Sequence, residues 1–406
     1  MKRSVIRILL VACALFSLIA GLIAFAPFTE VGSRALLISL PKFFPVEIEY
    51  AGGSLFGELH LSSVKLDMPE VQLNVQNAEV ELELACLWKS TLCLRRLRAA
   101  HIEINWEGGL WRSADLQARL SIFGSKVEIE ELHSEDVLLQ LIPRHESPSG
   151  SDISPVSLPV ELIVNQARLD RVAWEIYGVH STHQTITLSG EWIEDQLTLH
   201  QVELELGADQ LGNLRLKGEI TFSGNWPFEL DALADFTDQP TAASVLSAFL
   251  SPEQVQELPE FSTELTLHSP LNLLASGTLL EQSFSLKGAM SGLGYDALQL
   301  SLSGRHGANV RKIYFDHIEL NDSNRHSALS GSGELGVAEQ YQWALKAQAN
   351  KFVFPTVNDW PNGYLTGAIE ADGDFLADGW AIAFHNIDLQ GEVNDLPAKI
   401  EGTVRS

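Results

Sequence analysis

Along most of the chain, apolar and polar residues alternate one for one, and a five-residue phrase keeps returning in which this alternation ends on glycine. It reads Leu214-Arg215-Leu216-Lys217-Gly218, Phe284-Ser285-Leu286-Lys287-Gly288, Leu300-Ser301-Leu302-Ser303-Gly304 and Ile387-Asp388-Leu389-Gln390-Gly391. Side chains of a strand point alternately to its two faces, so a period of two predicts strands with one greasy and one wet face. Each glycine is expected to mark the end or bend of a strand. The same alternation runs through Val71, Leu73 and Val75, then Val80, Leu82 and Leu84, with Ile102, Ile104 and Trp106 resuming it after a predicted helical interruption over 88–97. Further on it continues through Ile186, Leu188, Leu197, Leu199, Val202, Leu204, Leu206, Leu214, Leu216, Ile220 and Phe222.

Three departures punctuate the strands. Residues 31–44 read as a short helix stopped near Pro41, residues 143–159 as a Pro/Ser-rich loop, and residues 240–258 as a helical island with Val245, Leu246, Phe249 and Leu250 at helical spacing. At about 13 residues per strand and connection the chain holds roughly 25 strands, whereas an open twisted sheet rarely passes about 10. The sheet must curl, close or divide. A row of ordinary sandwiches and one continuous groove, roughly 120 Å long at about 4.8 Å per strand, fit the periodicity equally.

The first residues change the setting. Lys2, Arg3 and Arg7 precede an uncharged run from Ile8 to Thr29 whose apolar part, Ile8 to Ala26, is long enough to cross most of a bilayer core. A cleaved signal peptide is the alternative, but the run is longer than a signal core and Pro27 directly follows the small-residue site Ala24-Phe25-Ala26. The expectation is an uncleaved single anchor, basic end in the cytoplasm, with the bulk of the chain in the bacterial periplasm. Cys13 lies inside that run, leaving Cys86 and Cys93 as the two cysteines outside it. A local disulfide between them is the natural reading; two unpaired thiols and a metal pair are the alternatives.

Composition bounds the partners. With 406 residues and 45% hydrophobic content the chain buries a large apolar surface, and a formal charge of −26 argues against nucleic acid as a partner. Catalytic patterns are sparse: Gly331-Ser332-Gly333-Glu334-Leu335-Gly336 matches a dinucleotide-binding spacing but falls in the strand repeat, and His180 and His183 sit in a polar stretch. No G-x-S-x-G elbow is present. The sequence therefore predicts no enzyme, no cofactor and no metal.

Four segments together carry a family resemblance: the single anchor; Gly52-Gly53-Ser54-Leu55-Phe56-Gly57-Glu58-Leu59-His60-Leu61 leading to Val64; Cys86-Leu87-Trp88-Lys89-Ser90-Thr91-Leu92-Cys93; and Asp359-Trp360-Pro361 with Leu365-Thr366-Gly367 and Gly373-Asp374-Phe375. In this order they resemble the N-terminal part of the TamB family, the inner-membrane subunit of the bacterial translocation and assembly module, within the AsmA-like group. The resemblance implies a mainly β fold: a transmembrane helix, then a long curled repetitive sheet forming a groove, with a few short helices. It implies a division into residues 1–28 (cytoplasmic tip and anchor), 29–142 (first periplasmic β segment), 143–159 (loop) and 160–406 (groove segment), without the C-terminal domain that meets a TamA-like outer-membrane barrel. It also implies phospholipid transport to the outer membrane and support of outer-membrane protein assembly, with protein secretion as the wider process. Expected lining residues are Leu73, Val75, Leu82, Leu84, Leu199, Leu204, Leu206, Leu300 and Leu302, each equally readable as an ordinary packed side chain. A scaffold or chaperone for outer-membrane barrel proteins, pairing with strands along a sheet edge without lipid transfer, is the alternative function.

Overall fold

The structure, a computed structural model, describes residues 26–68, 71–106, 109–141, 160–176, 179–206, 211–236, 239–247, 265–278, 280–292, 295–307, 310–322, 324–336, 341–353, 362–376 and 379–405. The expected anchor over 8–26, apart from its last residue, and the loop over 143–159 lie outside them. Among the described residues no helix is long and apolar enough to cross a membrane. The described chain is mainly β, with twenty strands and a few short helical pieces. Its residues fall into two compact units, the first carrying β1–β7 and the second β9–β20, with the residues of β8 (Val179–Ile193) shared between them.

In the first unit, β1 (Val46–Gly53), β2 (Glu58–Asp67), β3 (Val71–Glu83), β4 (Leu92–Trp106), β5 (Gly109–Phe123) and β6 (Lys126–Leu141) pair antiparallel in chain order, and β7 (Glu161–Ile176) then pairs parallel to β6. A helix, α1 (Glu30–Ser39), opens the unit. The Thr29 hydroxyl accepts the Gly32 N–H at 3.1 Å and Glu30 occupies the first turn, both favourable at a helix N-terminus. A 3-10 turn over Leu40–Lys42, with Pro41 inside it, ends the helix where the sequence predicts. Ser33 and Leu37, four residues apart on one face, are buried. Leu37 packs with Leu59, Leu61 and Ala78, while the Ser33 hydroxyl donates to the Pro27 carbonyl at 3.0 Å and accepts the Leu55 N–H at 2.7 Å.

Regular pairing is interrupted along β3–β7. Asn77 on β3, Asp115 on β5, Asp136 on β6 and Arg171 on β7 have φ between 46° and 53°; the β5–β6 register shifts on either side of Ala114, as a bulge does, while the β3–β4 and β6–β7 registers run unbroken past Asn77 and Arg171. Asn and Asp tolerate this left-handed geometry; an arginine seldom adopts it. Arg171 is held there by its guanidinium, which donates to Asp136 at 2.6 Å and also to Glu135. Hydrogen bonds from Arg171 are the main cause holding both carboxyls below the ordinary carboxylate range. Carboxyls depressed in the fold stabilise it above the unfolded value of about 4 and lose that contribution as pH falls through their folded values. The melting-temperature gap between the native chain and Arg171→Gln should therefore be present at neutral pH and shrink steadily on acidification below about pH 4; a gap independent of pH would contradict this linkage.

The second unit is an antiparallel ladder in chain order: β9 (Gln196–Leu206), β10 (Gly212–Thr221), β11 (Phe228–Phe236), β12 (Thr266–Gly277), β13 (Glu281–Gly292), β14 (Tyr295–Gly307), β15 (Val310–Asp322), β16 (Ser327–Gly336), β17 (Tyr341–Val353), β18 (Gly363–Leu376), β19 (Gly379–Val393) and β20 (Leu396–Arg405). Of the helical island expected over 240–258, Ala242–Ser247 is a helix and 248–264 lie outside the described residues.

Two local expectations need correction. The helical turn near the cysteines is α2 (Leu84–Leu87), earlier than 88–97, so Leu84 leaves the alternation and Leu92 already begins β4. Of the recurrent glycines, expected to mark strand ends or bends, none ends its strand: Gly218, Gly288, Gly304 and Gly391 lie within β10, β13, β14 and β19, with register shifts at Gly218 and Gly304. Their role is steric. A Cβ on Gly304 would meet the Phe284 ring at 2.7 Å, one on Gly218 would meet the Leu230 side chain at 2.9 Å, and one on Gly288 would collide with Leu271.

Candidate functional site

Register lines up the apolar positions of the second unit into continuous rows across the strands. In the central row Val202 faces Leu216, then Ala232, Leu273, Leu286, Leu302 and Ile318 follow strand by strand. The row goes on through Gly331, Ala347, Ile369, Ile387 and Gly402, so all twelve strands of the ladder contribute. A parallel row on the same face starts at Leu204 and Leu214 and passes Ala234, Leu271 and Gly288 to Leu300, Leu320, Leu329, Ala349, Gly367, Leu389 and Ile400.

The third row alternates large and small. It runs Leu199, Gly218, Leu230, Ala275, Phe284, Gly304, Phe315, Gly333, Leu345, Ala371 and Phe384. Gly218 leaves room for the Leu230 side chain and Gly304 for the Phe284 ring. Phe284 and Phe315 reach across Gly304 to an edge-on contact, ring centroids 6.1 Å apart at 83°, the favoured geometry for an aromatic pair.

What distinguishes these rows from a packed core is their exposure. Of the large side chains in them, Leu204 is buried at 6% while the other described ones are half-buried or exposed, Leu273 at 40% and Ile400 at 47%. The other buried members are small: Ala232, Ala234, Ala347, Ala349, Ala371 and Gly304. Such an accessible apolar strip matches a surface that receives an apolar partner.

The opposite face of the same strands carries paired charges. Lys217 meets Asp231 at 3.2 Å, Arg305 meets Asp316 at 2.9 Å and Lys312 meets Glu334 at 2.6 Å, with Lys346–Glu370 and His385–Asp372 also in contact. Exposed pairs of this kind contribute at most about 1 kcal/mol each and chiefly keep the face wet. An open depression of about 590 Å³ lies among Asp316, Ser332, Glu334, Lys346, Glu370, Asp372 and His385. Ser332 is on β16 and His385 on β19, three strands or roughly 14 Å apart, so no serine–histidine pair forms there. The glycine pattern Gly331–Gly336 is the strand β16, paired antiparallel on both edges, with no helix following it to receive a phosphate. Among the described residues no group of His, Cys, Asp or Glu is arranged to hold a metal.

Of the residues singled out from sequence, Leu199, Leu204, Leu300 and Leu302 all stand in the three rows, Leu204 as a buried member. Leu206 faces Gly212 in register, its side chain lying outside the described residues. In the first unit Leu73 and Val75 pack half-buried against a cluster of Ala99, Ile102, Leu116 and Ala118, and Leu82 faces Leu94. The sequence reading missed Leu286, Phe284, Phe315 and Ile318, which complete the rungs beside Leu302. Their signal was present in the phrase itself, since Phe284, Leu286 and Gly288 occupy the three rows as Leu300, Leu302 and Gly304 do.

Cys86 and Cys93 are joined as a disulfide with Cα atoms 5.9 Å apart, and Trp88 between them is 93% exposed. Closing a loop of sequence separation 7 corresponds to about 2.5 kcal/mol of lost unfolded-state entropy. Cys86→Ser combined with Cys93→Ser should destabilise the first unit by about this amount in denaturant titration, and reduction of the native chain should reproduce the shift. Equal midpoints for the oxidised and reduced native chain would show that the bridge contributes nothing.

No curated protein and no solved structure shows significant similarity to the chain. The model of the family described as TamB, N-terminal domain, matches residues 19–119 and 253–406, more than half of the sequence and including β1–β4 and β12–β20. With its mainly β ladder and this match, the chain belongs to the TamB N-terminal domain family.

Proposed function

We propose that this chain is an inner-membrane-anchored periplasmic component of a translocation and assembly module, offering an apolar groove along which phospholipids pass toward the outer membrane. The observation that carries the reading is the set of three apolar rows that cross β9–β20 and remain accessible. An acyl chain laid along them avoids a hydration cost of about 0.8 kcal/mol per CH₂ while its headgroup stays in water. No covalent step is involved, which fits a transport and assembly role rather than an enzyme.

Under this reading Leu199, Leu204, Leu206, Leu300 and Leu302 line the groove in the second unit, and Leu73, Val75 and Leu82 are its counterparts in the first. Leu84, displaced onto α2, stands at its margin. Residues 1–28 hold the chain in the inner membrane, with the remainder periplasmic, where the Cys86–Cys93 bridge persists in oxidising conditions. A TamA-like outer-membrane barrel is the partner at the far side, through which the chain supports outer-membrane protein assembly.

A photo-crosslinking residue at Leu302 should capture phospholipid in living cells, while the same residue at Ser303, on the other face of β14, should not. Equal labelling at both positions would remove the groove reading. Capture of nascent barrel protein along an unpaired strand edge, without lipid at Leu302, would favour the scaffold alternative.

A further inference from the structure

Helix α1 has two apolar stripes where a helix on a protein surface has one. Ser33, Leu37 and Leu40 form the stripe that packs onto the first strands, with Ile48, Tyr50 and Leu55 also in that cluster. Val31, Ala35 and Ile38, at the same spacing of four and three, form a second stripe that faces away from the unit, and Leu36 lies beside it. Val31 is 80% exposed and Ile38 59%. The turn that follows adds Phe43 at 76% and Phe44 at 59%. A helix with its outer face in water carries polar residues there, so this segment is built for contact with something apolar.

Its position in the chain says what. Ala26, the last residue of the uncharged apolar run that begins at Ile8, is four residues before Glu30, the first of α1, and no spacer separates the two. Wherever that run lies in a bilayer, α1 begins at the bilayer surface. The charges agree: within 26–44 the basic residues are Arg34 and Lys42 and the sole acid is Glu30, in a chain whose formal charge is −26. Apolar side chains flanked by cations are what an anionic phospholipid interface accepts.

We propose that residues 28–44 are a membrane-interface element, with α1 lying in the headgroup layer of the bilayer that holds the preceding run and Val31, Ile38, Phe43 and Phe44 inserted toward the acyl chains. This rests on the anchor reading above. It adds that the first strands are seated directly on the membrane through a helix whose other face is part of their own core, so lipid leaving the bilayer meets the apolar positions of β1–β3 without crossing water.

The test uses the full chain in liposomes of phosphatidylethanolamine and phosphatidylglycerol, with an environment-sensitive fluorescent amino acid placed in turn at Ile38, Phe43 and, as control, the exposed Glu47 on β1. Phospholipid brominated on its acyl chains should quench positions 38 and 43 several-fold more than 47, and Arg34→Glu combined with Lys42→Glu should weaken that quenching. Carbonate extraction of the same liposomes reads the anchor separately. A carbonate-resistant chain with no extra quenching at 38 and 43 overturns the proposal and leaves the anchor standing; a carbonate-released chain refutes the anchor, and quenching alone then decides the proposal. Positions 38 and 43 that are unquenched by lipid yet shielded from aqueous iodide would identify a second copy or another protein as the occupant, and would also overturn it.

Discussion

Leu302→Glu should reduce phospholipid capture by a crosslinker at the neighbouring Leu320 by an order of magnitude or more, without unfolding the ladder. Leu302 stands in the middle row, flanked in register by Leu286 on β13 and Ile318 on β15. An acyl chain crossing this rung loses contact for at least two methylenes, about 1.6 kcal/mol, and must additionally displace water from a carboxylate. Since 1.4 kcal/mol is a factor of ten, occupancy beyond the rung falls by more than that. Folding is spared because Leu302 is half-buried, so the glutamate can turn its carboxylate out to water and keep its methylenes on the sheet. Unchanged capture at Leu320 in a folded Leu302→Glu chain would show that lipid does not follow the rows.

Gly304→Leu should do the reverse, breaking the structure before it touches transport. The new Cβ would lie 2.7 Å from the Phe284 ring and closer still to the Tyr314 carbonyl oxygen of the paired strand. Overpacking of this kind costs about 1–3 kcal/mol, more when backbone must move, which for a unit of this size corresponds to a melting temperature lower by roughly 2–12 °C. Gly52→Ala is the comparison, because nothing lies within 4 Å of its added Cβ; that change should be neutral within about 0.5 kcal/mol. Similar losses in both variants would mean that the glycines act through backbone freedom rather than through space.

The strand faces were legible because period two is a local property, and Leu199, Leu204, Leu300 and Leu302 could be read straight from it. Which residues stand beside them was not, since register depends on turn geometry and bulges. The positive-φ positions are nearly silent in sequence: Asn77, Asp115 and Asp136 are unremarkable polar residues, and Arg171 is a poor candidate for positive φ until its two carboxylate partners are seen. The parallel pairing of β6 and β7 was equally hidden, because hydrophobic alternation carries no direction. The glycines could be read as ends or bends, but the ends do not occur, for a related reason. A glycine inside a strand looks like a break until the side chain lying over it, supplied by another strand, is known.

That complementarity between strands bears on how the ladder avoids mispairing. Alternation alone forbids a slip of one residue, which would turn apolar side chains to the wet face, but a slip of two keeps every face correct and is invisible to the pattern. In the second unit such a slip would slide Phe284 off Gly304 and Leu230 off Gly218, setting bulk against bulk at some rungs and leaving gaps at others. The alternation of large and small residues therefore acts as a vernier, fixing by shape the even-numbered register that hydrophobicity leaves free.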